Sequence, residues 1–315
     1  MFNINIKKYK YNIIMFSCLR KNKKNKRNIN NFIIERKMQK EKEVTNNCQF
    51  IQNYKIIKRI CSDSDELDKE IYIVEDIDKK YNNKYILKMK TYVSKNEYEV
   101  YKVLSLRHHP NIQQVVRMFG YNNKICFLYE YIDGQDLYEY SQNKSFTERQ
   151  CQSIVKQIVD GLNFLHSLHI IHLDIKCENV LYDDINNTVK IIDFDFATII
   201  DNPESKYVIT GDLCGTEFYV APETISSNIY SCKTDIWQLG VLLYALITNK
   251  YPCTNVLRHK CNDICQENMF RRLNMFIEQK GYDKSLFNLL VGILEYDETK
   301  RYNLDMIKES TWLNI

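Results

Sequence analysis

His172-Leu-Asp-Ile-Lys-Cys-Glu-Asn179 sets a histidine, two acids, a lysine and an asparagine within eight residues. Upstream, Thr147-Glu-Arg-Gln150 has the spacing of a capping box, in which a threonine hydroxyl and a glutamine side chain satisfy the first N–H groups of a helix. Behind it Ile154, Val155, Ile158, Val159, Leu162 and Leu165 form a stripe wide enough for a buried helix. Downstream, 180–182 and 189–192 read as a short hairpin around 183–187. Asp193-Phe-Asp195 and Ala221-Pro-Glu223 follow, and from Thr234 onward apolar helices dominate, at 236–247 and 286–294.

The first half of the chain reads differently. Strands are predicted at 54–60, 71–74 and 85–89, with Asn82-Asn83 as the turn between the last two. A helix is predicted over 96–106, from the spacing of Val100, Val103, Leu104 and Leu106. His109-Pro110-Asn111 ends it, because proline disfavours helix for the residue before it. Two more strands are expected at 115–119 and 125–131, and the pattern changes after Asp133-Gly134. The class is therefore α+β: a β-rich N-lobe with one main helix over 51–132, then a larger, mostly helical C-lobe over 133–315. Such an order implies a cleft at the hinge, a usual place for ligands.

Residues 1–50 stand apart. Thirteen Lys/Arg oppose three Glu within 1–45, so this stretch carries +10 and the remainder −6 of the net +4. A solvated, disordered extension is expected, with an anionic partner (lipid, nucleic acid or nuclear import machinery) as the sharper reading. No apolar run reaches the length of about 18–20 residues that a membrane-spanning helix needs. The eleven cysteines include no CxxC pair, which fits reduced thiols in a cytoplasmic, or alternatively nuclear, protein. Cys253, His259, Cys261 and Cys265 could supply four zinc ligands, although their spacing matches no common finger.

From about residue 54 to 313 the sequence resembles a eukaryotic protein kinase of the serine/threonine type. His172–Asn179 is similar to the family's catalytic loop, Asp193-Phe-Asp195 stands in place of D-F-G, and Ala221-Pro-Glu223 matches A-P-E. Asp235-Ile-Trp-Gln-Leu-Gly240 and Arg301 match later landmarks. The resemblance implies ATP with magnesium, manganese being an alternative, and protein substrates bearing Ser/Thr hydroxyls. It implies Asp174 as the acceptor of the hydroxyl proton and Lys176 as the cation beside the γ-phosphate. Asn179 and Asp193 would be the metal ligands, and Lys88 the lysine that holds the α/β-phosphates. Glu99 is its expected helix partner, with Glu97 the runner-up. Tyr129 would be the gatekeeper, Glu130 and Tyr131 would offer backbone groups to adenine, and Asp136 would meet the ribose. Thr216 resembles the loop threonine that contacts the catalytic aspartate, and Glu223 is expected to pair with buried Arg301. A monomer is expected.

The departures are informative. Cys-Ser-Asp-Ser-Asp-Glu-Leu-Asp-Lys-Glu, at 61–70, contains no glycine where kinases carry a glycine-rich loop. Acids at 63, 65, 66, 68 and 70 face one lysine, Lys69. A like-charge pair at about 6 Å costs on the order of a few kcal/mol at an effective dielectric of about 20. Ile86 replaces a small alanine over the adenine, Leu173 the arginine before the catalytic aspartate, and Asp195 the glycine of D-F-G. Two readings follow: an active serine/threonine kinase, or a pseudokinase scaffold of the same fold. An enzyme acting on small molecules is the third, disfavoured by the kinase-like Gly215–Glu223 segment.

Overall fold

The computed structural model describes residues 50–60, 69–77, 84–208, 215–252 and 263–314. They fall into two compact units, one from the described residues of 50–108 and 113–133, the other from those of 109–112 and 134–314. The Asn82-Asn83 turn, the acids at 63, 65, 66 and 68, the basic stretch 1–45, and Cys253, His259 and Cys261 lie outside the described residues.

In the first unit, β1 (Phe50–Ile51), β2 (Tyr54–Ile60), β3 (Lys69–Asp76) and β4 (Lys84–Lys90) precede helix α1 (Lys95–Ser105). Strands β5 (Val115–Tyr121) and β6 (Lys124–Glu130) follow it. The strands form one antiparallel sheet in the order β1-β2-β3-β4-β6-β5. The two-residue period puts Leu87 and Met89 on one face of β4, where they join Ile51, Tyr54, Val74, Cys126 and Leu128 in a core. Ile86, Lys88 and Lys90 share the opposite face. There Tyr101 of α1 lies 4.3 Å, ring to ring, from Phe127 of β6. The β5–β6 hairpin turns on Asn122 and Asn123, at φ 45° and 58°, a left-handed pair that asparagine tolerates. One expectation is corrected: Lys69 and Glu70 are strand residues, not loop. Glu70 pairs with Lys124 of β6 at 2.8 Å, which gives the strand an anchor at its start.

The second unit begins with β7 (Gln135–Asp136), α2 (Leu137–Asn143), α3 (Glu148–Ser167) and β8 (Ile170–Ile171). Helix α3 carries the capping box read from Thr147 and Gln150, and its apolar stripe is buried. Next come β9 (Val180–Asp183) and β10 (Thr188–Ile191), the predicted hairpin, with β7 alongside β9. Then β11 (Thr198–Ile199) pairs with β8, and β12 (Tyr207–Val208) pairs with β13 (Ile229–Tyr230) across α4 (Pro222–Ser227). Helices α5 (Cys232–Thr248), α6 (Asp263–Lys280), α7 (Lys284–Ile293) and α8 (Leu304–Lys308) complete the unit. Helix α5 is apolar nearly all round and correspondingly buried. At Gly240 a Cβ would stand 2.5 Å from Ile293, so only glycine allows α5 and α7 to approach this closely. Among the described residues no helix is long and apolar enough to cross a membrane.

Glu223 and Arg301 make a bidentate pair at 2.8 and 2.9 Å. The guanidinium also donates to the carbonyls of Lys233 and Glu295 and lies over the Trp237 ring. Removing one partner of such a buried pair strands the other charge. Arg301→Met should therefore destabilise the protein by about 3–5 kcal/mol. A lowered urea midpoint with an unchanged m-value checks this.

Candidate active site

The catalytic-loop segment is held from below by α5. Asp235, fully buried in the first turn of that helix, accepts the backbone N–H of His172 at 2.9 Å and of Leu173 at 2.8 Å. It also meets His166 Nε2 at 2.8 Å. One turn on, Gln238 accepts from Ile175 N–H and donates to the Leu173 carbonyl. These bonds fix Leu173 at φ 69°, a left-handed conformation that costs a branched residue roughly 1–2 kcal/mol. Its side chain packs with Ile171, Ile200 and Tyr230, which helps to offset the strain.

Asp174 follows immediately, 2% exposed. Its Oδ2 lies 2.6 Å from Lys176 Nζ and accepts Asn179 Nδ2–H at 2.8 Å. Its Oδ1 accepts the Thr216 hydroxyl at 2.9 Å, and Lys176 in turn donates to Thr216 Oγ1 at 2.8 Å. Thr216 reaches this position because Gly215, at φ 106°, passes close to the Leu173 carbonyl. Four residues from two segments, 174–179 and 216, are thus closed into one hydrogen-bonded set. The Asn179 amide nitrogen is spent on Asp174, on both its carbonyl and its carboxylate, which turns Oδ1 the other way. Asn179 Oδ1 and the Asp193 carboxylate are hard oxygen donors, the chemistry that magnesium requires. Asp193 stands at φ 63°, a left-handed conformation unusual for a non-glycine residue.

His172 is fully buried between these elements, with its ring 5.1 Å from Phe194. Burial pushes its pKa down, against the pull of Asp235 and Asp174. The neutral ring accepts Asp174 N–H at Nδ1, so Nε2 carries the proton and donates to the Ile192 carbonyl. Asp136 caps α2 through Oδ1, accepting Glu139 N–H at 2.7 Å, and burial raises its pKa.

In the sheet unit, Lys88 is buried on β4, at 4% exposure. The expectation for its helix partner is corrected. Glu99 is 41% exposed and lies 3.4 Å from Lys102. The buried glutamate of α1 is Glu97, whose N–H is capped by Ser94 Oγ and whose Oε1 lies 2.6 Å from Lys90 Nζ. Residues two apart on a helix point about 200° apart, so both cannot face the sheet. The signal was in the sequence: Glu97 falls on the i, i+3, i+4, i+7 stripe with Val100, Tyr101 and Leu104, whereas Glu99 does not. At the chain's exit from β6, Glu130 is already engaged. Its N–H donates to the Gln114 carbonyl and its carbonyl accepts from Gln113. Its N–H is therefore not on offer to adenine. Tyr131 lies under Lys84, 5.5 Å from ring to ammonium. Tyr129 is buried edge-on against Tyr101.

Comparison with known proteins identifies the frame. The Protein kinase domain family matches residues 70–313. The chain belongs to the protein kinase family. CBL-interacting protein kinase 28 of Oryza sativa subsp. japonica is 30% identical over 213 residues, 67% of this chain and 47% of that protein. An Aurora kinase of Eremothecium gossypii is 31% identical over 210 residues, 66% and 54% of the two chains. A probable serine/threonine-protein kinase KIN1 homolog of Enterocytozoon bieneusi is 28% identical over 215 residues, 68% and 34%. The matched region spans about half or less of these relatives. Protein kinase domains in general use ATP with a divalent metal and act on proteins.

A His whose folded pKa lies below its unfolded value, about 6.5, takes up a proton on unfolding. Stability from His172 is therefore full at neutral pH and falls as pH drops below about 6.5, by at most about 1.4 kcal/mol per pH unit. Urea titrations between pH 7 and 5 should show this slope, reduced in His172→Gln; equal slopes would show that the ring is not held neutral.

Proposed function

We propose that this chain is an active serine/threonine protein kinase, transferring the γ-phosphoryl group of ATP to protein hydroxyls. The observation that carries the reading is the Asp174 carboxylate, fixed by Lys176, Asn179 and Thr216 within 2.6–2.9 Å. Phosphoryl transfer has a loose transition state, so catalysis is mostly positioning and charge stabilisation. In this reading Asp174 orients the incoming hydroxyl and takes its proton. Lys176, whose ammonium reaches both Asp174 and Thr216, stabilises charge on the transferring group. Lys88 holds the α/β-phosphates, with Glu97 in place of Glu99 as the helix carboxylate nearby. Asp136, whose Oδ1 caps α2, would meet a ribose hydroxyl. Asn179 and Asp193 would hold magnesium or manganese, which when bound neutralises charge on the phosphates. Leu173, buried among Ile171, Ile200 and Tyr230, offers no cation to a phosphorylated loop, which favours control that needs no such phosphate.

A pseudokinase reading is favoured by the glycine-free acidic stretch 61–70, by Ile86 and by Asp195. Labelled ATP, magnesium and a generic basic protein separate the two. Wild type should incorporate label, and Asp174→Asn and Lys88→Met should lower the rate by about 10²–10⁴-fold. Equal incorporation by all three would remove the active reading.

Substrate preference rests on Glu178. Its Oε2 is buried and, among the described residues, without a hydrogen-bond partner. Burial raises its pKa, with Asp174 and Asp136 adding to the rise. A cationic substrate side chain would bind the ionised form, so a mild preference for basic peptides is expected, weakening as pH falls. A peptide array run over a descending pH series tests this, and preference for acidic flanks would contradict it. On composition alone we further propose a cytoplasmic or nuclear site of action, and an anionic partner for residues 1–45.

A further inference from the structure

Strand β4 carries two lysines on one face, Lys88 and Lys90, because side chains two apart on a strand point the same way. The second is not a surface residue. Its ammonium lies 2.6 Å from Glu97 Oε1, with side chains 15% and 6% exposed. Glu97 is the third residue of α1 and is held at both ends: Ser94 Oγ accepts its N–H at 3.1 Å, and Lys90 takes its carboxylate. A carboxylate in the first turn of a helix also suits the positive end of the helix dipole. The same helix sets Val100, Tyr101 and Leu104 into the core. Whatever fixes Glu97 therefore fixes how α1 meets the strand that presents Lys88.

We propose that Lys90 is a positioning residue for nucleotide binding, which holds α1 to β4 through Glu97 Oε1 and so sets the carboxylate beside Lys88. Lys90 touches neither substrate nor the reacting atoms; it acts through Glu97. A buried carboxylate needs its countercharge, and withdrawing that charge is strongly unfavourable. In Lys90→Met the carboxylate would lose this ammonium. Helix α1 would loosen, and Lys88 would be drawn from the phosphates toward Glu97. The nucleotide part of this inference rests on the kinase reading; the helix part does not.

Two readouts on the full chain test it. The first is affinity for Mg·ATP by calorimetry: Lys90→Met should raise Kd about tenfold, a coupling of about 1.4 kcal/mol. Lys90→Arg, which keeps the charge, should restore most of the loss. The second is amide hydrogen exchange of Lys95–Ser105, which should quicken in Lys90→Met and not in Lys90→Arg. Adding Lys90→Met to Glu97→Gln should change either readout little, since the partner is already gone. Should Lys90→Met not fold, Lys90→Gln carries the same comparisons with the side chain's length nearly kept. A lowered melting temperature with unchanged ATP affinity and unchanged α1 exchange would make Lys90 merely structural and overturn the proposal. Equal effects in the wild-type and Glu97→Gln backgrounds would overturn it too. If wild type binds no nucleotide, the kinase reading fails, yet the exchange comparison still decides whether Lys90 holds α1.

Discussion

A single buried carboxylate, Asp235, holds the second unit's chemistry in place. A fully buried carboxylate is tolerated only when its lone pairs are filled. Here they are filled by two successive backbone N–H groups, of His172 and Leu173, and by the His166 ring. Those bonds bind the chain at the point where Leu173 takes a left-handed conformation. Without them the strain at Leu173 would relax, and Asp174, the next residue, would turn with it. Helix α5 suits this task because it is buried on nearly every side and locked to α7 at Gly240. The rigidity of the loop is thus borrowed from the core.

Strain and hydrogen bonding work together around that anchor. Leu173 and Asp193 both adopt positive φ, the first next to Asp174, the second itself a candidate metal ligand. Such conformations persist only where the surroundings over-determine them. At Leu173 the over-determination is visible as Asp235 and Gln238 from α5, together with an apolar cluster around the side chain. Thr216 adds a cross-link from a segment some forty residues away, made possible by Gly215. Helix α5, the catalytic loop and the Gly215–Thr216 segment therefore report on one another: a shift in any of them moves the hydrogen bonds of Asp174.

What the sequence disclosed follows from how local each signal is. The β2, β4, β5 and β6 strands, the α3 capping box and the β9–β10 hairpin were legible because their periods and turn residues are contiguous. The identities of Asp174, Lys176 and Asn179 were legible as a motif. Short strands such as β7, β11, β12 and β13 were not, because two residues carry no periodicity. Asp235 could be quoted as a landmark but its role could not be read, since its partners lie more than sixty residues away. The family resemblance alone does not separate Glu99 from Glu97, which stand two residues apart. The burial stripe of the helix depends on its own geometry, and it selects Glu97.

The departures from the family differ in what they touch, and this bears on how such a protein would fail. Ile86 belongs to the sheet unit, with Lys88, Lys90 and Glu97, and the glycine-free acidic stretch leads in the sequence from one of its strands into the next. The groups that would meet the acceptor hydroxyl, Asp174, Lys176 and Thr216, belong to the helical unit and complete their hydrogen bonds there. A weakened hold on the nucleotide raises the energy of every bound state alike, whereas a disturbed Asp174 raises only the transition state. The first lowers apparent affinity and leaves turnover at saturation intact; the second does the reverse. In this chain the acidic stretch and Ile86 fall on the side of affinity, whereas Leu173 and Asp195 lie in the helical unit, where Asp174 keeps its bonds to Lys176, Asn179 and Thr216. The active and pseudokinase readings therefore diverge first over whether the nucleotide stays bound long enough to be used.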